Sequence, residues 1–367
     1  MMKVAITGAE GFIGRNLSLR LSEAGHGIIA LTRSSTDADW FAAAAQADAV
    51  VHLAGANRPE NPADFDTVNV GTADLLASAV TAADRPIRII VASSAKAGEP
   101  GPYGQSKLAG EARLLSLGED TGAQVHVLRL VNVFGKWARP NYNSAVATFC
   151  HNIARRLPIR IDDPDAPLSL LYIDDFIDTV LTILAGGVAP GINAFGPIYH
   201  TSVGAVASAI QGFRDDRDDN LIAEVGTGLT RALYATYVSA LPVEEFSYSI
   251  AAHRDPRGSF SEMLKTRTSG QFSYFTAHPG VTRGGHYHHT KTEKFLIVSG
   301  RARFRFRHML SGQLHAVETS GETPQIVETV PGWTHDVTNI GDEMLVSLLW
   351  ANEIFSREKP DTQAEQV

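Results

Sequence analysis

A single cysteine, Cys150, stands in 367 residues, which excludes an intramolecular disulfide and any cysteine-rich metal site and fits a reducing compartment. No apolar run is long enough to cross a bilayer, and no charged-then-apolar leader opens the chain. A cytoplasmic protein without membrane attachment is therefore expected. Cationic excess is missing too: 32 Lys and Arg stand against 40 Asp and Glu, a formal charge of −8, which argues against non-specific nucleic-acid binding. An anionic ligand is still admissible at a local basic pocket or a helix N-terminus. What is there, 44% hydrophobic and 20% charged residues, describes a globular chain with ample core. The length suits two or three domains.

The N-terminal half is organised around Tyr103-Gly104-Gln105-Ser106-Lys107. Residues four apart share a helix face, and Leu108, Glu111, Leu114 and Leu115 continue a helical period. An ammonium one turn from a phenol favours the phenolate, so the pair can exchange a proton near neutral pH. With a hydroxyl from Ser93 or Ser94, at the end of the preceding strand, the set suits reduction of a ketone. An ordinary amphipathic pair has the same spacing, so the rest of the chain has to decide.

The strand Lys3–Thr7 leads into Gly8-Ala9-Glu10-Gly11-Phe12-Ile13-Gly14 and then a helix to about Ala24, the context a pyrophosphate cradle requires. Gly8 permits the tight turn, Gly11 lets backbone approach phosphate, and Gly14 lets helix pack on strand, with Phe12 and Ile13 opening the helix over the anion. A second strand, Gly27–Thr32, ends in Thr32-Arg33-Ser34-Ser35 where NAD would call for an acid. Arg33 and hydroxyls suit a 2′-phosphate, which favours NADP, although Arg33 also reads as a solvated loop charge. Strand Ala49–Leu53 runs into Ala54-Gly55-Ala56, where Leu53 and small Ala54 let a cofactor lie against backbone. Alternation of strand and helix to about Val131 implies a doubly wound parallel sheet.

The glycine pattern, His52-Leu53-Ala54-Gly55, Asn69-Val70-Gly71-Thr72, Ser93-Ser94, the Tyr/Lys pair and Asn132-Val133-Phe134-Gly135 together resemble the extended short-chain dehydrogenase/reductase family, whose members act on nucleotide sugars. The resemblance implies Tyr103 as proton donor, Lys107 as the group that orients the ribose and tunes Tyr103, and Ser94 as partner of the keto oxygen. Ser94 lies nine residues before Tyr103, a shorter connection than in most relatives, so Glu99-Pro100-Gly101-Pro102 must turn tightly. Beyond Phe134 the segment to about Leu241 reads as a substrate lobe. Asn132, Lys136, Arg139 and Asn141 are candidates to hold a diphosphate and a sugar, with an ordinary surface loop as the plain alternative. Asp174-Asp175 reads as helix capping.

From about Val243 the pattern becomes all-β: Phe272–Ala277, Lys294–Val298, Ala302–Phe306 and Met344–Trp350 are short strands between Gly, Pro and Asn turns, as in a sandwich or barrel. Within it His286, His288, Glu293 and His335 form a candidate metal site, with Glu293 and His335 expected to converge from adjacent strands. Zinc is the default metal, with iron or manganese admissible. The spacing matches the first cupin motif fully and the second in part, since its leading glycine is missing and Pro331 abuts Gly332. Asp255-Pro256-Arg257-Gly258 and Arg283-Gly284-Gly285-His286 resemble the cupin sugar-nucleotide 3,5-epimerases, in which the histidine is a base. His286 is therefore contested between ligand and base.

Expected domains are a reductase at residues 1–243, with an extended Rossmann-type α/β fold, and a cupin barrel at residues 244–367. Both together resemble one family, the capsular polysaccharide enzymes usually called CapF or WbjC. The resemblance implies a cupin that epimerises C3 of a UDP-4-keto-6-deoxy-N-acetylhexosamine, then NADPH reduction to UDP-2-acetamido-2,6-dideoxy-L-talose, a precursor of UDP-N-acetyl-L-fucosamine. A homodimer is expected. Three alternatives remain: a keto-sugar reductase whose cupin only dimerises, a redox-sensing NADP-binding regulator, and a cupin oxygenase fused to a reductase.

Overall fold

The computed structural model describes residues 1–358 and 360–367. Two compact units emerge, Met1–Gln211 with Arg231–Pro242, and Gly212–Thr230 with Val243–Val367. Among the described residues no helix is long and apolar enough to cross a membrane.

The first unit begins β1 (Lys3–Thr7), α1 (Phe12–Glu23), β2 (Gly27–Leu31), α2 (Asp37–Gln46), β3 (Ala49–His52). A wide helical turn at Asp66–Val70 then precedes α3 (Gly71–Ala83), β4 (Arg88–Ser94), α4 (Pro102–Thr121) and β5 (Gln124–Leu130). After these come β6 (Asn132–Phe134), α5 (Ala145–Ala154), β7 (Pro167–Tyr172), α6 (Ile173–Leu184), β8 (Gly191–Ile192) and β9 (Ile198–Ser202). The main sheet runs β2-β1-β3-β4-β5-β8, all parallel, and a smaller sheet runs β6-β7-β9. Because strand side chains alternate, each strand feeds both faces: Val4 and Ile6 pack with Leu17, Leu21 and Phe176, whereas Ala5 packs with Trp40, Ala43 and Leu76. Helices cover both faces, as near-continuous apolar strands require. Cys150 is fully buried in α5, and burial pushes its thiol up to about 12.

The remaining elements are α7 (Val203–Asp218), β10 (Leu221–Ile222) and α8 (Gly228–Ser239), with the division between units falling inside both helices. The strands of the second unit are β11 (His253–Asp255), β12 (Gly258–Thr266), β13 (Gly270–Ala277), β14 (Thr282–Tyr287), β15 (Glu293–Ser299) and β16 (Arg301–His308). They continue through β17 (Leu314–Ser320), β18 (Ile326–Thr329), β19 (Trp333–Asn339), β20 (Leu345–Ala351) and β21 (Gln363–Ala364). One sheet runs β10-β12-β13-β20-β15-β18, with β11 on β12, and the other β17-β16-β19-β14-β21. Phe275, Phe295, Ile297, Phe304, Phe306 and Val337 close the core between them. The short strand β10 pairs in parallel with β12, which draws residues 221–222 into this unit through backbone bonds that composition does not reveal.

Candidate functional site

The glycine loop sits where strand order reverses, at the C-terminal ends of β1 and β3, the place where open parallel sheets bind ligands. Gly8 has φ +69, and a Cβ there would stand 3.1 Å from the Ala54 nitrogen, so the two loops touch backbone to backbone. A Cβ on Gly14 would lie 2.4 Å from the Gly8 carbonyl oxygen, which only glycine tolerates. Thr7 ties the loops together, its hydroxyl oxygen accepting from the Leu53 and Ala54 N–H groups, each at 3.0 Å. Its own hydrogen then goes to His52 Nδ1 at 2.9 Å, and burial lowers the pKa of His52 to about 3, with Lys107 adding to the effect. Gly11 caps α1 with no side-chain bond and no acid stands in the first turn, so the helix N-terminus is left for an anion. Phe12 and Ile13 are half-buried against the core behind it. Arg33 is exposed and has no side-chain partner among the described residues, while Thr32, Ser34 and Ser35 bond within the loop. These features fit a 2′-phosphorylated dinucleotide: a cradle that side chains would fill, an open helix end and a free guanidinium.

Tyr103 and Lys107 occupy the first turns of α4. The tyrosine hydroxyl reaches Asn57 Oδ1 at 3.4 Å, and its ring packs edge-on against Phe65 with centroids 5.5 Å apart. Burial lowers the Lys107 ammonium to about 8 against the opposing pull of Glu111, and Nζ reaches the Ala92 carbonyl oxygen at 3.4 Å. The two serines separate by strand alternation. Ser93 donates inward to buried Glu111, which Arg129 also holds from 2.7 Å, while Ser94 Oγ accepts from Lys96 N–H at 3.2 Å. Ser94 therefore keeps its donor, with no acceptor among the described residues. The tight connection is built by bonds from Ala97 N–H to the Ser94 carbonyl and from Glu99 N–H to the Lys96 carbonyl. Gly104 is packed against this turn so closely that a Cβ would lie 2.5 Å from the Glu99 carbonyl oxygen.

Sequence reading missed the role of Asn69. Its Oδ1 accepts from Ala56 N–H at 2.8 Å and its Nδ2 donates to Ser106 Oγ at 2.9 Å, joining the β3 loop to α4. It lies in the turn before α3 rather than in the helix itself. In the loop after β6 Lys136 is engaged, with Nζ 3.0 Å from Asp174 Oδ1. Asp174 thus serves as an ion-pair partner in the first turn of α6, whose N-cap is Tyr172 without a side-chain bond. Arg139 lies over the Tyr142 ring at 5.2 Å, Asn132 donates to the Ser169 carbonyl at 3.2 Å, and Asn141 has φ 54.

In the second unit His286, His288, Glu293 and His335 meet, with one ligating atom of each within 4.8 Å of all the others. Their origin differs from the expected adjacency of Glu293 and His335. His335 on β19 pairs directly with His286 on β14, and Glu293 comes from β15 in the facing sheet. A barrel interior brings such positions together across the core, which strand order along the chain does not convey. His288 Nε2 lies 3.2 Å and His335 Nε2 3.6 Å from Glu293 Oε2. Burial works to raise the Glu293 pKa, but the imidazoles and the Lys291 ammonium hold the carboxyl well below the usual range. Burial also lowers the pKa of His286, the half-exposed member, to about 4. The neutral imidazole this leaves can offer a lone pair.

The donor set fits a divalent cation. Among the described residues His335 Nε2 is buried without a hydrogen-bond partner, and His288 Nδ1 faces the Asp361 carbonyl oxygen at 2.5 Å. A carbonyl only accepts, so Nδ1 carries a proton and Nε2 confronts the Glu293 carboxylate, where a cation belongs between them. Beside the cluster, with the Phe306 ring 6.4 Å from that of His335, a cavity of about 320 Å³ is lined by Phe306, His315, Val317, Val327 and Trp333.

Comparison with known proteins agrees with this arrangement. The family model described as NAD dependent epimerase/dehydratase family matches residues 4–194, and Polysaccharide biosynthesis C-terminal domain matches residues 253–363. A UDP-2-acetamido-2,6-beta-L-arabino-hexul-4-ose reductase of Pseudomonas aeruginosa is 52% identical, over 100% of this chain and 99% of that relative. The crystal structure of capsular polysaccharide assembling protein CapF from Staphylococcus aureus matches with a TM-score of 0.93 at 37% identity, over 99% of this chain and 100% of CapF. RMD from Pseudomonas aeruginosa, complexed with NADPH, matches at 22% identity and TM-score 0.52 over 59% of this chain and 83% of its own, a likeness of fold alone. The chain belongs to the NAD dependent epimerase/dehydratase family and, within it, to the CapF type, an extended short-chain dehydrogenase/reductase fused to a C-terminal cupin.

Proposed function

We propose that the chain is a bifunctional nucleotide-sugar enzyme. Within residues 244–367 it epimerises C3 of a UDP-linked 4-keto-6-deoxy-N-acetylhexosamine. Within residues 1–243 it reduces the C4 ketone with NADPH to give UDP-2-acetamido-2,6-dideoxy-L-talose. The reductase half draws support from likeness along the whole chain to a UDP-sugar reductase. The epimerase half is carried by one observation, the convergence of His286, His288, Glu293 and His335 within 4.8 Å.

For reduction, Gly8, Gly11, Phe12, Ile13 and Gly14 are assigned to the pyrophosphate, Arg33 to the 2′-phosphate, and Leu53, Ala54 and Lys107 to the nicotinamide ribose side. NADPH, when bound there, supplies the hydride for C4. Tyr103 gives its phenolic proton to the ketone oxygen, Ser94 donates a hydrogen bond to that oxygen, and the Lys107 ammonium stabilises the phenolate left behind. Asn132, Arg139 and Asn141 are assigned to the sugar nucleotide, with Lys136 joining them by exchanging its Asp174 partner for phosphate.

For epimerisation the three histidines and Glu293 would hold a divalent metal, zinc by the chemistry of the set. When bound it would supply Lewis acidity toward the C4 ketone, which acidifies the C3 proton; a base beside the cluster takes that proton, and a proton drawn from solvent returns to the opposite face of C3. His286 is the half-exposed member of the cluster, and the cavity at Phe306 and Trp333 offers apolar walls near His335. Exposed Leu310, Leu314, Ile326 and Val330 support association of two copies, which sedimentation velocity measures directly. Its lone buried thiol suits a cytoplasmic setting.

The test is incubation of the keto-sugar in heavy water. Deuterium should enter at C3 with NADPH omitted, and the reduced talose product should form once NADPH is added. Reduction without any C3 exchange would leave a simple keto-sugar reductase.

A further inference from the structure

The four members of the cluster come from three strands and one turn, yet a single short segment touches the surroundings of all of them. β21 pairs antiparallel with the end of β14, Ala364 opposite His286 and Gln363 opposite Tyr287. The Asp361 carbonyl oxygen faces His288 Nδ1 at 2.5 Å. Thr362 Oγ1 lies 3.4 Å from Lys291 Nζ, which in turn stands 3.2 Å from Glu293 Oε1. The Glu365 carbonyl accepts from Thr334 Oγ1 at 2.6 Å, next to His335 in sequence. Arg307 fastens the far end, donating to Glu365 Oε1 at 2.7 Å and to the Gln366 carbonyl at 2.6 Å.

Asp361 is the pivot of this strap. Its carboxylate accepts from three consecutive backbone N–H groups, His289 at 2.9 Å, Thr290 at 2.7 Å and Lys291 at 2.8 Å, and from the Thr290 hydroxyl at 2.9 Å. These bonds fix the turn between His288 and Glu293. They also seat the same residue's carbonyl against the His288 ring. An imidazole has two chemically distinct nitrogens, and a carbonyl oxygen selects the tautomer whose proton is on the nitrogen facing it. The other nitrogen is then a lone pair turned toward Glu293 and His335.

We infer that Asp361 is a positioning residue for the histidine cluster, holding His288 in the tautomer and orientation that a divalent cation needs. The inference rests on reading the cluster as a metal site. Loss of such outer hydrogen-bond partners commonly weakens metal binding by about 10- to 100-fold.

The experiment compares the full chain with Asp361→Ala, Asp361→Asn and a chain ending at residue 360, each titrated with Zn²⁺ against a chromophoric chelator. Asp361→Ala should weaken Zn²⁺ by at least about tenfold and the shortened chain by no less, while Asp361→Asn, which keeps an acceptor oxygen, should recover most of the affinity. Wild-type affinity in Asp361→Ala and in the shortened chain overturns the inference. Should the shortened chain fail to melt cooperatively, the Ala and Asn pair decides. A parent chain that takes up no Zn²⁺ sinks the metal reading instead, and the metal-free proteins then decide the positioning role by ¹⁵N spectra of labelled histidine. A His288 ring protonated at Nδ1 in the parent and mixed in Asp361→Ala supports it; the same tautomer in both overturns it.

Discussion

The Lys107 ammonium stands 3.1 Å from the point a Cβ on Gly55 would occupy, and Asn69 Oδ1 stands 2.9 Å from the same point. The absence of a side chain at Gly55 leaves room for the lysine ammonium and the asparagine oxygen beside the loop after β3. A cavity of about 20 Å³, lined by His52, Asn69, Lys107 and Glu111 together with apolar Ala73, Val91 and Leu114, is of the size that holds one water.

Gly55→Ala should therefore displace Lys107 or Asn69 rather than the backbone, since both neighbours are side-chain ends. The expected outcome is a folded protein with a reductase kcat/KM down by on the order of tenfold, the scale of a 1–3 kcal/mol overpacking cost. Unchanged kinetics would mean that the lysine has room to spare.

The pH dependence follows from the same lysine. With its pKa lowered to about 8 by burial, the ammonium is populated below that value and lost above it. kcat/KM for NADPH, which reports the free enzyme, should fall as pH rises through about 8, and a flat profile to pH 9.5 would contradict the assignment. Stability runs the other way: between about 8 and 10.5 the unfolded chain binds more protons at this site, so the lysine's burial penalty shrinks as pH rises.

Tyr103→Phe keeps the ring that packs on Phe65 and removes the proton donor. Reduction should drop by about 100-fold or more, with NADPH affinity near normal by fluorescence titration and C3 exchange intact. Retention of most reductase activity would assign the proton to another group.

Arg33 is exposed and unpaired among the described residues, so Arg33→Ala should leave stability alone and act on the 2′-phosphate. The preference for NADPH over NADH should shrink by on the order of tenfold in paired kcat/KM measurements. A preference that survives the substitution would place phosphate recognition in the hydroxyls of the loop.

The two reactions should part company at the cluster. In His288→Ala or Glu293→Gln a ligand is lost, metal content should fall, and deuterium uptake at C3 should slow. Reduction of substrate already epimerised should continue, because the cradle, Tyr103 and Lys107 belong to the other unit. If C3 exchange stays at the parent rate after metal loss is verified, the metal is structural.

How far each part was legible follows from the range of the interaction behind it. The glycine cradle was readable because Gly8 and Gly14 answer to backbone within a few residues or to the loop of the neighbouring strand. Tyr103 and Lys107 were readable because helical period is local. The histidine set was readable as a set, yet its sheet assignment was not, since Glu293 faces His335 across a core that only the strand order β13-β20-β15 defines. Asn69, although part of the Asn69-Val70-Gly71-Thr72 motif, gave no sign of the bonds it makes, and Asp361 left no signal of spacing at all. Each is one polar residue whose partners, Ser106 and His288, lie 37 and 73 positions away, and nothing in composition announces a hydrogen bond over that distance.

Cys150 gives the chain a practical property. Its thiol is fully buried and burial pushes its pKa up to about 12, so maleimides and similar reagents that attack thiolates should react with it slowly. The natural sequence thus behaves as a silent background for site-specific labelling. A cysteine placed at an exposed position such as Ser311 or Asp342 becomes the one reactive handle for a fluorophore or spin label. Distances between labelled positions can then be followed through turnover without first rebuilding the chain.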